Sequence, residues 1–332
     1  MRPDAKRLAA FCASGLVLLG IVLAVLPLIG STSISLAGAF RGESPHAEIL
    51  FHARLPRVLL AALAGAALAT AGLLFQALVR DSLADPYTLG ISGGASLGAV
   101  LALCFRLPSL FGLPAVGASA FLGALITLAL VLAISTRGLR MSSFTLLLAG
   151  VTVNSICMAS LLLLHSVADF GQSFVILRWL MGGIESVSYP VLGFTVLALV
   201  PAFAYVLARS RDLNLVAIGE EWAEARGLNV RRAMLGGLIA GSWLTGVVTS
   251  LTGPIGFLGL IVPHALRLRL GADHRLLAPA AMFAGAAFLA LCDTAARTVA
   301  APAEVPVGVI TAMLGGPFFI WLLRRGRGSV WL

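Results

Sequence analysis

Lysine is all but missing from this chain of 332 residues: Lys6 is the only one, and charged residues of every kind make up 11%. Soluble domains carry roughly a quarter of their residues as charges, so a soluble globular protein of this length is excluded. A phosphate-cradling loop of the form G-x-x-x-x-G-K-[ST] needs a lysine. None stands in such a place, and the chain cannot hydrolyse a nucleotide by itself. Cysteine is scarce as well. Cys12, Cys104, Cys157 and Cys292 fall singly in or beside apolar runs, with no CxxC and no Cys/His cluster. That argues against a metal site or disulfide framework and for four small buried hydrophobes. The formal net charge of +9 does not mark a nucleic-acid face, because the arginines sit singly or in pairs at the ends of apolar segments. Cations so placed set membrane topology rather than track phosphates.

What the chain has in abundance is apolar length. Hydrophobic residues make up 59% and mean hydropathy is +1.01, and several runs exceed the ~18–20 residues that cross a hydrocarbon core of about 30 Å. Strand alternation is absent, so helices must satisfy the backbone in lipid. The reading is an all-α polytopic membrane protein with ten spans: 8–30, 58–79, 89–105, 113–134, 146–166, 190–208, 234–252, 254–270, 276–296 and 307–323. The first run is longer than the 7–15-residue core of a cleaved signal peptide and reads as a retained helix. Small residues three and four apart, in "LAGAALATAGLL" and "GGLIAGSWLTG", let helices approach closely. With the N-terminus inside, seventeen of the 23 lysines and arginines fall on the cytoplasmic side, which places both termini and residues 209–232 there. Residues 31–57 then form an external connection. Residues 170–188 are too short and too polar to cross and suit a half-helix or re-entrant piece.

An ion-coupled carrier needs ionisable groups near mid-membrane. The cores of 58–79, 113–134, 146–164, 190–208 and 234–262 contain no Asp, Glu, Lys, Arg or His. Gln76 and Asn154 are the strongly polar residues there, either bonded between helices or lining a pathway. No HExxH, paired-carboxylate or Ser/His constellation supports an enzyme within the spans. "ISGGAS" at 91–96 reads as close helix packing. Asp293 and Arg297, four apart near an external helix end, suit an intrahelical ion pair. If transport is driven, the energy must come from another subunit.

The segment 209–232, "RSRDLNLVAIGEEWAEARGLNVRR", is the one compact, double-signed stretch in the second half. Leu215, Ile218, Trp222 and Ala225 recur at helical spacing. Glu220, Glu221 and Glu224 precede Arg226, Arg231 and Arg232, an order that suits the helix dipole. Gly219 and Gly227 predict two short helices with a bend. Such a pair, unable to span, is suited to docking on a soluble partner.

The chain resembles the ten-helix permease subunits of type II ATP-binding-cassette importers, which take up iron–siderophores, haem and vitamin B12. The matching stretches run through most of it: "ARLPRVLLAALAGAALATAGLLFQAL", "LADPYTLGISGGASLGA", "TLLLAGV", "WLMGG", "GFLGLIVPHALRL", "DHRLLAPA" and "AAPAEVPVGVITAMLGGPFFIWLL". The resemblance implies one transmembrane permease domain over 1–332, in the inner membrane, working as a homodimer. It also implies two cytoplasmic ATPase subunits, which hold ATP and Mg, and an external binding protein; this chain would bind no cofactor. Coupling helices that enter the ATPase map onto 212–228, with Leu215, Ile218, Gly219, Glu220, Trp222, Ala225, Arg226 and Gly227 as contacts. Arginines that pair with acidic residues of the binding protein map onto Arg54, Arg57 and Arg297, whose planar guanidinium suits bidentate docking. A cytoplasmic gate maps onto loops 81–83 and 142–144, where Leu83 and Ser143 fit. Asp81-Ser82 and Phe144 depart from the pattern, so closure here is expected to be more hydrophobic. His264 in "VPH" suits a structural hydrogen bond, and His165 is the better haem candidate. The implied cargo is a bulky metal chelate, iron–siderophore first and haem or vitamin B12 next. A secondary carrier or channel for an organic solute is the alternative.

Overall fold

The computed structural model describes residues 5–108, 115–137 and 140–325. Arg2, Arg327 and the first two residues of the predicted span 113–134 lie outside them. The helices are α1 (Ala5–Val25), α2 (Leu36–Phe40), α3 (Leu55–Val79), α4 (Ile91–Cys104), α5 (Ala115–Ser135), α6 (Ser143–Val167) and α7 (Phe170–Leu180). They continue with α8 (Tyr189–Ala208), α9 (Ser210–Ile218), α10 (Glu220–Ala225), α11 (Val230–Thr252), α12 (Leu258–Leu270), α13 (His274–Thr298) and α14 (Val307–Arg325). Extended pairing among the described residues is confined to Thr136–Arg137 against Arg140–Met141, between α5 and α6.

Each of the ten predicted spans contains a helix, and among the described residues seven helices are long and apolar enough to cross a membrane alone. The helices α4, α12 and α14 fall short of that criterion. With 14 and 13 residues, α4 and α12 reach about 20 Å, less than a ~30 Å hydrocarbon core. Irregular backbone extends both. Ala84, Asp85, Pro86, Leu89 and Gly90 before α4, and Gly253, Pro254 and Ile255 before α12, are buried within the protein, where non-helical backbone is tolerated at membrane depth. Its polar groups are satisfied: Asp85 accepts from the N–H groups of Tyr87 and Thr88, and Thr252 O accepts from Gly183 N.

The axis of the bundle is α3. Of the most apolar 18-residue window of Glu48–Val79, 83% is buried, against 28% of the corresponding windows in α5 and α8, so those two lie at the periphery. The axis can be that crowded because its residues are small. A Cβ on Gly65 would run into the carbonyl of Gly285 in α13, and one on Gly285 into the carbonyl of Gly65. Gly72 meets Gly259 of α12 the same way. Backbones in van der Waals contact associate by packing alone, which is what helices in lipid depend on.

The expected external connection 31–57 carries more structure than its sequence suggested. A π-helical turn over Glu48–Arg54 runs straight into α3, with Leu55 N donating to Leu50 O. Pro56 has no N–H and its ring crowds the carbonyl four residues back; the wider turn relieves this and frees two carbonyls. Tyr189 Oη donates to Phe51 O, and Ser186 Oγ donates to His52 O at 2.8 Å. The stretch 170–188 is the half-helix α7 followed by irregular backbone, opened by a capping box in which Asp169 and Gln172 satisfy each other's N–H. The cysteines are free, Cys157 and Cys292 buried and Cys12 and Cys104 half-buried.

Candidate functional site

Residues 209–232 fold as two short helices. The bend is Gly219, at φ 153° and ψ 147°, a conformation essentially open only to glycine. Gly227, at φ 80°, ends the pair, and Asn229 caps α11 by accepting from Arg232 N at 2.9 Å. The expected stripe is divided by the bend. Leu215 packs half-buried against the core beside Leu213 and Val216, and Ala223 anchors α10. Ile218 and Trp222 are 67% and 66% exposed, with Ala225, Arg226 and Gly227 exposed around them. A helical period cannot run through the bend, so the second helix turns its apolar side away from the bundle.

The pair is not loosely hung. Glu220 accepts from Arg80 Nη2 at 2.9 Å, and Arg80 ends α3 in the left-handed region at φ 59°. Asn214 of α9 donates Nδ2–H to Asp273 Oδ1 at 2.7 Å and accepts from His274 N at 2.8 Å. Burial alone would push the Asp273 carboxyl up, but the bonds from Asn214 and Arg275 N hold it below its ordinary value. No pattern in the sequence pointed to Asn214. Asp273 and His274 stood within the "DHRLLAPA" stretch without a role.

At the opposite end, where α3 begins and α13 finishes, lie the three arginines expected to face a binding protein. All are engaged within the chain. Arg54, 6% exposed, donates to the carbonyls of Pro27, Leu28 and Thr32. Arg57 donates from Nε and Nη2 to Asp293 Oδ1, both at 3.1 Å, and from Nη1 to Glu304 Oε2 at 2.8 Å. Arg297 donates from Nε to Asp293 Oδ2 at 3.1 Å, the expected intrahelical pair, and from Nη2 to Thr294 Oγ1. Two guanidiniums, Arg57 and Arg297, thus share the buried Asp293, with the exposed Glu304 on Arg57, while Arg54 is held by backbone carbonyls. Glu304 carried no signal in the sequence.

Of the residues assigned to a gate, Asp81 and Leu83 stand at the α9–α10 end, next to Arg80 and its bond to Glu220, and Gly150 of α6 packs on the backbone of Thr88 and Leu89 just before α4. Asp81 Oδ1 accepts from Leu83 N at 2.8 Å, and Ser142 caps α6. Leu83 and Phe144 are exposed, 46% and 74%, and Ser143 Oγ is buried without a hydrogen-bond partner among the described residues.

Of the pathway candidates, Gln76 is buried and donates Nε2–H to Gly259 O at 2.9 Å, the interhelical bond that was one of its two readings. Asn154 is half-buried with Oδ1 against Gly93, so "ISGGAS" is a packing surface: Gly93 meets α6 and Gly94 meets Thr127 of α5. His165 is half-buried, its Nε2 without a partner among the described residues. His264 differs from expectation. No hydrogen bond reaches either ring nitrogen among the described residues, and the ring packs edge-on to Phe318 and Phe319 of α14, both at 6.2 Å.

The model of the FecCD transport family matches residues 16–325. The chain belongs to the FecCD transport family. FecCD relatives include the hemin transport system permease protein HmuU of Yersinia pestis, 40% identical over 92% of this chain and 94% of that one. The vitamin B12 import system permease protein BtuC of Klebsiella pneumoniae is 42% identical over 84% of this chain and 83% of its own. A solved structure described as an inward-facing metal-chelate type ABC transporter superposes with a TM-score of 0.83 at 30% identity, covering 96% of this chain and 99% of that one. The FecCD permease fold of type II importers is therefore the fold of this chain, with α9–α10 as its exposed apolar prominence at one end.

Proposed function

We propose that this chain is the membrane permease subunit of an ATP-driven importer and moves a bulky metal chelate inward: iron–siderophore first, with haem and vitamin B12 as the other candidates. It lies in the inner membrane with both termini cytoplasmic. It works as a homodimer with two cytoplasmic ATPase subunits, which bind ATP and Mg, and an external binding protein that delivers the chelate. The observation that carries the reading is the exposure of Ile218 and Trp222 on α9–α10, in a family chain with no nucleotide loop of its own. Burying such side chains in a partner's cleft stabilises the contact by about 1.5–3 kcal/mol each. The bonds from Asn214 and Glu220 then let the partner's movements reach the bundle. Support for a large, weakly polar cargo comes from α6. Its exposed face is apolar with Thr152 and Ser155, whose hydroxyls donate back to Leu148 O and Val151 O, leaving little to coordinate a bare cation.

The test is reconstitution of the chain with its ATPase and binding protein in proteoliposomes, offered ferric siderophore, haemin or cobalamin. Uptake of one of them that requires ATP inside and binding protein outside is expected. Uptake by the permease alone would instead establish a secondary carrier or channel.

A further inference from the structure

Asn214 has a chemistry that leaves its orientation no choice. The backbone N–H of His274 can only donate, so it faces the amide oxygen; the Asp273 carboxylate can only accept, so it faces the amide nitrogen. His274 Nδ1 lies 2.8 Å from the same amide oxygen, which places the ring proton on Nδ1. Asp273 also accepts from Arg275 N at 3.0 Å. One side chain of α9 thus completes the N-terminal cap of α13, satisfying one of the N–H groups that a helix start leaves without intrahelical partners. Among the described residues no other side chain supplies His274 N, so α9 cannot shift by itself without losing that bond.

What α13 holds at its far end gives the clamp its meaning. The 25 residues of α13 extend about 37 Å at 1.5 Å per residue, ending with Asp293 and Arg297 in the arginine cluster. Along its length it packs closely on α3 at Gly65 and Gly285, where each backbone lies against the other's carbonyl. At the α9–α10 end, α3 is bonded to α10 through Arg80 and Glu220, and at the other end to α13 through Arg57 and Asp293. The two helices form a frame bonded to both short helices at one end and closed by Asp293 at the other.

The geometry points to Asn214 as a positioning residue: with Asp273 and His274 it couples movement of the ATPase-facing α9 to α13, and through the α3–α13 frame to the arginine cluster on the opposite surface. The inference rests on the functional reading above and adds the route by which the two surfaces sense each other.

In reconstituted complexes, N214A removes the clamp, N214D sets two carboxylates against each other, and N214D/D273N restores the bond between positions 214 and 273 with donor and acceptor exchanged while keeping an acceptor for His274 N. The readouts are ATP hydrolysis, with and without binding protein, and import per ATP of whichever of ferric siderophore, haemin or cobalamin the unmodified complex imports. N214A and N214D are expected to assemble with the ATPase and hydrolyse ATP while import per ATP falls about fivefold or more, the low end of allosteric coupling; the exchanged pair recovers it. Loss of structure alone would lower hydrolysis and import together. Unchanged import per ATP in both single variants, or a folded exchanged pair that stays uncoupled, overturns the inference. An unmodified complex that imports none of the three overturns the functional reading and the inference with it.

Discussion

Asp293→Ala tests whether the arginine cluster is a structural element of the bundle. The Asp293 side chain is 1% exposed and takes three bonds at 3.1 Å, two from Arg57 and one from Arg297. Removing it leaves two largely buried guanidiniums without their shared counter-charge, a change that costs about 3–5 kcal/mol. Glu304 bonds the same Arg57 at 2.8 Å but is 55% exposed, so E304Q should cost under ~1 kcal/mol. A large domain shifts its melting point by roughly 2–4 °C per kcal/mol, which puts D293A about 10 °C below the unmodified chain. The assay is the apparent melting temperature of the purified permease in detergent. R57M/D293L/R297M should recover much of the loss, because apolar replacement of a buried ion cluster is often neutral or better. Equal shifts for D293A and E304Q would refute the reasoning, since burial could not then be what makes one carboxylate matter more than the other.

Freed from Glu304, Arg57 has a guanidinium edge open to an acidic partner, so E304Q should tighten binding-protein docking at low salt and R57E should weaken it, both measured by titration. Trp222→Ala should weaken association with the ATPase about 30-fold, equivalent to ~2 kcal/mol, with the melting temperature unchanged because the side chain is exposed in the chain alone. Gly65→Ala places a methyl group on the Gly285 carbonyl and should lower stability by about 1–3 kcal/mol, read as a lower melting temperature.

The ten helical segments were legible because hydropathy averages over some twenty residues and no neighbour can change it. The bend at Gly219 and the pair Asp293–Arg297 were legible for a related reason, each depending on residues within four positions. Where a partner lies far along the chain, nothing in the pattern announced it: Arg57 is 236 residues from Asp293, and Asn214 is 59 from Asp273. The arginines looked like cations offered outward, and only the packed bundle brings carboxylates and carbonyls to them.

By itself, then, the sequence determined that this is a multi-spanning helical protein, where its helices lie, and which short segment stands apart from them. Which face of each helix meets another, and hence the α3–α13 frame and the side chains at its two ends, was decided by tertiary structure alone. The reason is physical. Lipid and protein interior are both apolar, so a spanning helix needs no polar stripe to mark its outer face, and the small residues that lock helices together reveal their partners only once the backbones meet.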